Sequence, residues 1–148
     1  MMHLFLSISL FLSCFGNNQN IEFNAKNNIL IDGYDPVSYF TQYPKKGLDQ
    51  FTLIHSGVAV KFSSQSNLDL FKKKPDKYLP KYGGWCAYAM AKDGEKVTIN
   101  PKTYQIHEGK LYLFYNSWGT NTLKLWKKEG PKLLKEQADH HWKAMTSF

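Results

Sequence analysis

Arginine is missing altogether from these 148 residues; every one of the 19 basic side chains is lysine, and the formal net charge is +7. The absence excludes a class of partner. Sequence-specific readers of nucleic acid rely on the guanidinium fork for bidentate contacts to guanine and phosphate, and no fork is available. The lysines are scattered, and the densest run, "FKKKPDKYLPK", reads as a solvated helix end beside a loop, with attraction to anionic lipid or acidic surfaces as the alternative. Cysteine is nearly as scarce, at Cys14 and Cys86 only. A C-x-x-C pair is lacking, so a resolving thiol would have to come from another molecule. Also lacking are an internal repeat, a glycine loop of the phosphate-cradling kind, a serine-histidine-acid set and a paired-carboxylate hydrolase pattern.

Long apolar runs are confined to the start. "MMHLFLSISLFLSC" is too short for a permanent transmembrane helix but suits the core of a signal peptide. Phe11, Leu12, Ser13 and Cys14 resemble a bacterial lipoprotein cleavage site, in which the cysteine becomes the lipidated first residue. The expected organisation is a signal segment over 1–14, a polar tether over 15–27 and one domain over 28–148. The expected location is extracytoplasmic, anchored by lipid on Cys14 in the periplasm or outer membrane. An ordinary cleaved signal peptide, giving a soluble secreted or periplasmic protein, is the alternative.

What is present is aromatic and globular: 16% aromatic and 43% hydrophobic residues, enough for one real core. "FTLIHSGVAVKFSS" reads as a hairpin turning at Ser56 and Gly57, and "TYQIHEGKLYLFY" as a second one turning at Glu108 and Gly109. Ser63 or Ser64 is placed to cap a helix carrying Leu68 and Phe71, Asn116 or Ser117 to cap one carrying Leu123 and Trp126, and Pro131 to open a last helix. "PDKYLPKYGG" and "AKDGEKVTINP" read as connections. Hairpins and helices without βαβ alternation predict an α+β fold, a small antiparallel sheet of hairpins packed with about three to four helices.

Chemistry centres on "KYGGWCAYAM". If Cys14 carries lipid, Cys86 is the one free thiol of the mature chain. It is either a small buried hydrophobe or a reactive group, a redox thiol or soft-metal ligand, that Gly83 and Gly84 let turn toward a cleft. Met90, four residues on, shares its face if the stretch is helical; Cys86 and Met90 with a histidine such as His55 form a candidate copper(I) set. His55, His107, His140 and His141 are the available imidazoles. In "GYDPVSYF", Pro36 forbids an internal strand, and Tyr34, Asp35 and Tyr39 are expected to wall the same cleft as Cys86.

"GYDPVSYF", then "FSSQSNLDLFKKKPDKYLPKYGGWCAYAM", then "GKLYLFYN", in that order over residues 30–142, resemble the YHS-domain family in its longer exported form. Short YHS domains, found beside copper-transport ATPases, look like metal-binding modules with three cysteines. The resemblance maps those cysteines onto Ser38, Ser63 and Asn67, none of which supplies a thiolate. In some relatives of the longer form a selenocysteine stands where Cys86 stands, which implies redox use of that position. The resemblance therefore implies a lipid-anchored extracytoplasmic YHS-domain protein that handles a soft, copper-like metal or thiol redox chemistry through Cys86. The alternative is a non-catalytic scaffold that binds a small ligand or a protein. The expected partners are a membrane, through the anchor, and a small ligand or metal, with no nucleic acid.

Overall fold

Val58, Val60 and Phe62 alternate with Ala59 and Lys61, and in the computed structural model, which describes residues 21–41 and 43–147, they form the inward face of a strand. This strand, β4 (Val58–Phe62), pairs with β3 (Leu48–His55) across a two-residue turn. Ser56 and Gly57 both take positive φ there, 47° and 83°, the turn whose twist matches paired strands. Two short strands, β1 (Ala25–Lys26) and β2 (Ile29–Leu30), extend the sheet to four in the order β1-β2-β4-β3, with β2 parallel to β4. The second hairpin, β5 (Asn100–His107) and β6 (Lys110–Phe114), closes through Glu108 and Gly109 with φ of 48° and 69°.

Among the described residues the architecture is α+β, with five α-helices. The two hairpins, expected in one sheet, lie in separate sheets. The reason is visible in β6, whose Leu111, Tyr112, Leu113 and Phe114 are all buried. Successive strand residues face opposite ways, so Leu111 and Leu113 enter one core with Val60, Phe62 and Phe71. Tyr112 and Phe114 enter another with Met90, Trp126 and Ala138. A strand apolar on both faces is satisfied between two layers; one that alternates, like β4, is satisfied near a surface.

Helix α1 (Gln65–Lys73) starts where Ser64 Oγ accepts the Asn67 N–H at 3.1 Å, and the single turn α2 (Pro75–Tyr78) follows within the expected connection. Helix α3 (Ala87–Asp93) runs three residues into the expected loop, because Ala91 is buried and Gly94, at φ 67°, supplies the left-handed cap. Helices α4 (Thr122–Glu129) and α5 (Pro131–Thr146) complete the chain. The cap of α4 is Asn121, whose Oδ1 accepts from the Leu123 and Lys124 N–H groups, and neither Asn116 nor Ser117. Those two residues instead form β7 (Asn116–Ser117), paired with β8 (Thr120–Asn121) around Trp118 and Gly119.

The glycine pair before Cys86 serves the N-terminal segment. Gly83 and Gly84 take φ of 60° and 87°, and their carbonyls receive the Asn24 N–H and side-chain amide at 2.9 and 3.0 Å. A Cβ on Gly83 would stand 2.9 Å from the Glu22 carbonyl oxygen. Trp85 Nε1 donates to that same oxygen at 2.9 Å. Residues 22–26, assigned by composition to the tether, are thus part of the fold. The signal segment and Cys14 lie outside the described residues. Among the described residues no helix is long and apolar enough to cross a membrane.

Candidate functional site

Asp35 is 0% exposed, and a carboxylate there needs donors. Its Oδ1 accepts from the Val37 and Ser38 N–H groups at 2.8 and 3.3 Å, the turn that Asp before Pro favours. Its Oδ2 accepts from the Ser63 N–H at 2.8 Å, the Ser63 hydroxyl at 2.6 Å and the Asn67 amide at 2.7 Å. Ser38 Oγ donates to the Asp35 carbonyl at 2.6 Å and accepts the Lys45 N–H at 2.8 Å. Ser38, Ser63 and Asn67, the three positions given to cysteines by the resemblance, therefore meet around one carboxylate. Their donors are already spent. A cleft of about 360 Å³ lies beside this knot, lined by Ser38, Thr41, Tyr43, Lys45, Ser63 and Asn67 among others.

Tyr39 is buried, donates its hydroxyl to the Pro101 carbonyl at 2.6 Å and packs edge-on against Tyr104. Burial, with Tyr34 and Tyr104 nearby, pushes its pKa far above the ordinary phenol value. Tyr34 is half-buried, with Lys46 Nζ 4.7 Å above its ring. Asp35 and Tyr39 are thus interior groups and do not wall an open cleft.

Cys86 stands just before the first residue of α3 and is 0% exposed. Its N–H donates to the Val97 carbonyl at 2.9 Å, holding the returning chain. The Tyr115 N–H donates to its Sγ at 3.4 Å, and Thr122 Oγ1 lies 3.4 Å from the sulfur. Thr122 has one hydroxyl proton and commits it to the Tyr115 carbonyl at 2.8 Å. The thiol proton is consequently the donor to Thr122 Oγ1. The sulfur thus clamps the two ends of the 116–121 hairpin from beneath.

The expected companions are divided. Met90 N–H donates to the Cys86 carbonyl at 3.0 Å, so the two share a helical turn, and the thioether is core. The Met90 carbonyl receives the Nδ1–H of His141 at 2.7 Å. His55 ends β3 and packs edge-on against Phe71 in the first core, away from Met90 in the second. Asp35 bonds to residues 37, 38, 45, 63 and 67, and Cys86 to 90, 97, 115 and 122; the sets share nothing. Among the described residues no group of three or more His, Cys, Asp or Glu is arranged to hold a metal.

No protein-family model, curated protein or solved structure matches this chain. Sequence reasoning missed Thr122, Tyr115 and Trp118. The one available signal was Gly119 following a bulky residue inside a polar Asn-Ser…Thr-Asn frame, a turn pattern that aromatic content disguises.

Proposed function

We propose that the chain is an extracytoplasmic, lipid-tethered binding module of the YHS type, in which Cys86 is a structural thiol and no catalysis passes through it. One observation carries this reading: the Cys86 sulfur is fully buried, with its acceptor and donor capacity taken up by Tyr115 and Thr122. A redox thiol must meet its oxidant and resolving partner, and reactive cysteines are at least partly exposed. A copper(I) site from Cys86, Met90 and His55 would need a histidine packed on Phe71 of the first core to join the Met90 thioether in the second and the thiol one helical turn before it. At the positions of the three family cysteines, Ser38, Ser63 and Asn67 satisfy Asp35 and leave no soft donor. The same positions border the 360 Å³ cleft, whose lining also includes Tyr43 and Lys45, a phenol and an ammonium group that Asp35 does not engage and that a small polar ligand can use.

The test is the rate of alkylation at each cysteine of the folded protein, read by mass spectrometry, with copper(I) competition titration beside it. Cys86 is expected to react only as fast as the domain unfolds. Rapid labelling with a titrating rate, or one copper(I) bound in wild type and none in Cys86→Ser, overturns the reading. The tether is tested separately: labelled palmitate enters wild type and not Cys14→Ser.

A further inference from the structure

Trp118 is 95% exposed, and among the described residues it is the sole large apolar side chain left exposed between Leu70 and Leu133. It also takes φ 51° in a two-residue turn whose second residue, Gly119, takes 76°. Such turns favour Asn, Asp or Gly, and a bulky side chain in the left-handed region is strained. The fold gains no packing from this indole, so neither stability nor turn geometry accounts for it. Strain held on a rigid frame points to contact with something outside the chain.

The frame is rigid. Asn116 donates to Thr103 Oγ1 at 3.0 Å, the Thr122 N–H and hydroxyl both reach the Tyr115 carbonyl, and Cys86 closes the base. Asn121 pairs with Asn116 and caps α4, fusing tip and helix. Along α4, Lys124, Lys127 and Lys128 fall three and four apart on one exposed face, opposite the buried Trp126, and exposed Lys132 follows. Among the described residues none of the four has a carboxylate within salt-bridge distance; Glu129 is engaged by Lys92 at 3.1 Å and by the Tyr88 hydroxyl at 2.7 Å.

We infer that the Trp118 hairpin and the lysine face of α4 form a docking surface for an anionic lipid bilayer. A protein hot spot sets its aromatic anchor among other apolar groups. Here the indole caps a hairpin whose paired residues are Ser117 and Thr120, and the helix that follows directly carries lysines that, among the described residues, form no ion pair. That is the arrangement of an interfacial tryptophan with juxtamembrane lysines, which draw on the diffuse negative potential of the lipid surface. Such a potential calls for point charges and not for the guanidinium fork. The inference rests on the binding reading above, and it names that module's partner.

The experiment uses the full chain with vesicles carrying brominated acyl chains, either phosphatidylcholine with phosphatidylglycerol or phosphatidylcholine alone. Any contribution of the N-terminal apolar segment is common to wild type and Trp118→Asn, so the difference in tryptophan quenching reports the hairpin. Asparagine suits the positive φ and keeps the turn. Wild type on phosphatidylglycerol vesicles is expected to be quenched beyond Trp118→Asn, and this difference is expected to vanish without the anionic lipid. Each Lys→Gln change at 124, 127 and 128 weakens the hairpin's association about fivefold. Equal quenching in wild type and Trp118→Asn, an undiminished difference on phosphatidylcholine alone, or indifference to the lysine changes overturns the inference. Thiol accessibility is read without lipid, so failure here is distinguishable from failure of the binding reading.

Discussion

Replacing Asp35 separates a hydrogen-bond knot from a latent metal site. Five donors converge on the carboxylate, but they differ in freedom to find new partners. The Ser38 N–H also reaches the Asp35 carbonyl at 3.1 Å; the Ser63 hydroxyl can rotate, and the Asn67 amide can flip to present its oxygen. The backbone N–H groups of Val37 and Ser63 can do neither. Asp35→Asn, with its amide nitrogen on the Oδ2 side, keeps the oxygen toward Val37 and strands only the Ser63 N–H. Asp35→Ala strands both. At roughly 2 kcal/mol for each stranded buried donor, asparagine costs about 2 kcal/mol and alanine about 4 kcal/mol. Urea unfolding, followed by tryptophan fluorescence at constant slope, measures both. Copper(I) is expected to leave the wild-type midpoint unchanged. Equal costs for the two variants, costs below about 1 kcal/mol, or a midpoint raised by metal would refute the accounting.

Three further outcomes follow from particular contacts. Among the described residues the buried Tyr112 hydroxyl finds no partner, so Tyr112→Phe raises stability by about 1 kcal/mol, read as a melting temperature higher by roughly 4 °C. Asp139 loses by burial but gains more from hydrogen bonds with Lys135 and Tyr82 and from Lys81, and its pKa is lowered. A carboxyl depressed in the folded state contributes above its unfolded pKa of about 4, and that contribution disappears as pH falls through the folded value. The advantage of wild type over Asp139→Asn, about 1 kcal/mol at neutral pH after discounting for solvent screening, should therefore shrink below pH ~4 in urea titrations. Gly83→Ala places a Cβ 2.9 Å from the Glu22 carbonyl oxygen and 3.1 Å from the Trp142 ring at φ +60°. It should cost about 2 kcal/mol and speed proteolytic cleavage within residues 21–27.

Much of the framework was legible because it rests on local rules. The turns at Ser56-Gly57 and Glu108-Gly109, the Ser64 cap and the Pro131 start are each fixed by residues within a few positions of one another. The common sheet failed because "KLYLFY" reads the same for a strand covered on one face or both, and burial of Tyr112 and Phe114 depends on helices far along the chain. The site was harder still. Asp35, Ser63 and Asn67 meet across about thirty residues; the aspartate was legible as a turn former, but not as the acceptor of α1's approach. Gly83 and Gly84 were expected to turn Cys86 toward a cleft, but Cys86 is buried and the glycines instead admit the N-terminal segment. Direction of approach is a property of tertiary packing, and no spacing along one strand of sequence encodes it.

Cys86 is the residue on which the readings divide, and substitution at it can tell them apart without any activity assay. In Cys86→Ala the Tyr115 N–H loses its acceptor, while the Thr122 hydroxyl keeps the Tyr115 carbonyl; one stranded donor costs about 1–3 kcal/mol. Cys86→Ser does no better despite its polarity. Its shorter bond draws the oxygen away from partners already at 3.4 Å, and a hydroxyl there demands closer contacts than a thiol. Serine should therefore cost at least as much as alanine, because it buries a second poorly met group. The damage should also be local, since the sulfur joins residues 115 and 122 at the root of the hairpin. Amide exchange at Tyr115 and Thr122 is expected to quicken in both variants, while Ala138 and Met90 keep wild-type protection. A cysteine retained for metal or redox chemistry predicts the opposite: near-native stability in the alanine variant and unaltered exchange at the hairpin. If Cys86→Ala leaves both untouched, the thiol is not a clamp, and the rigid presentation of Trp118 must be sought in Asn121 and Thr103 alone.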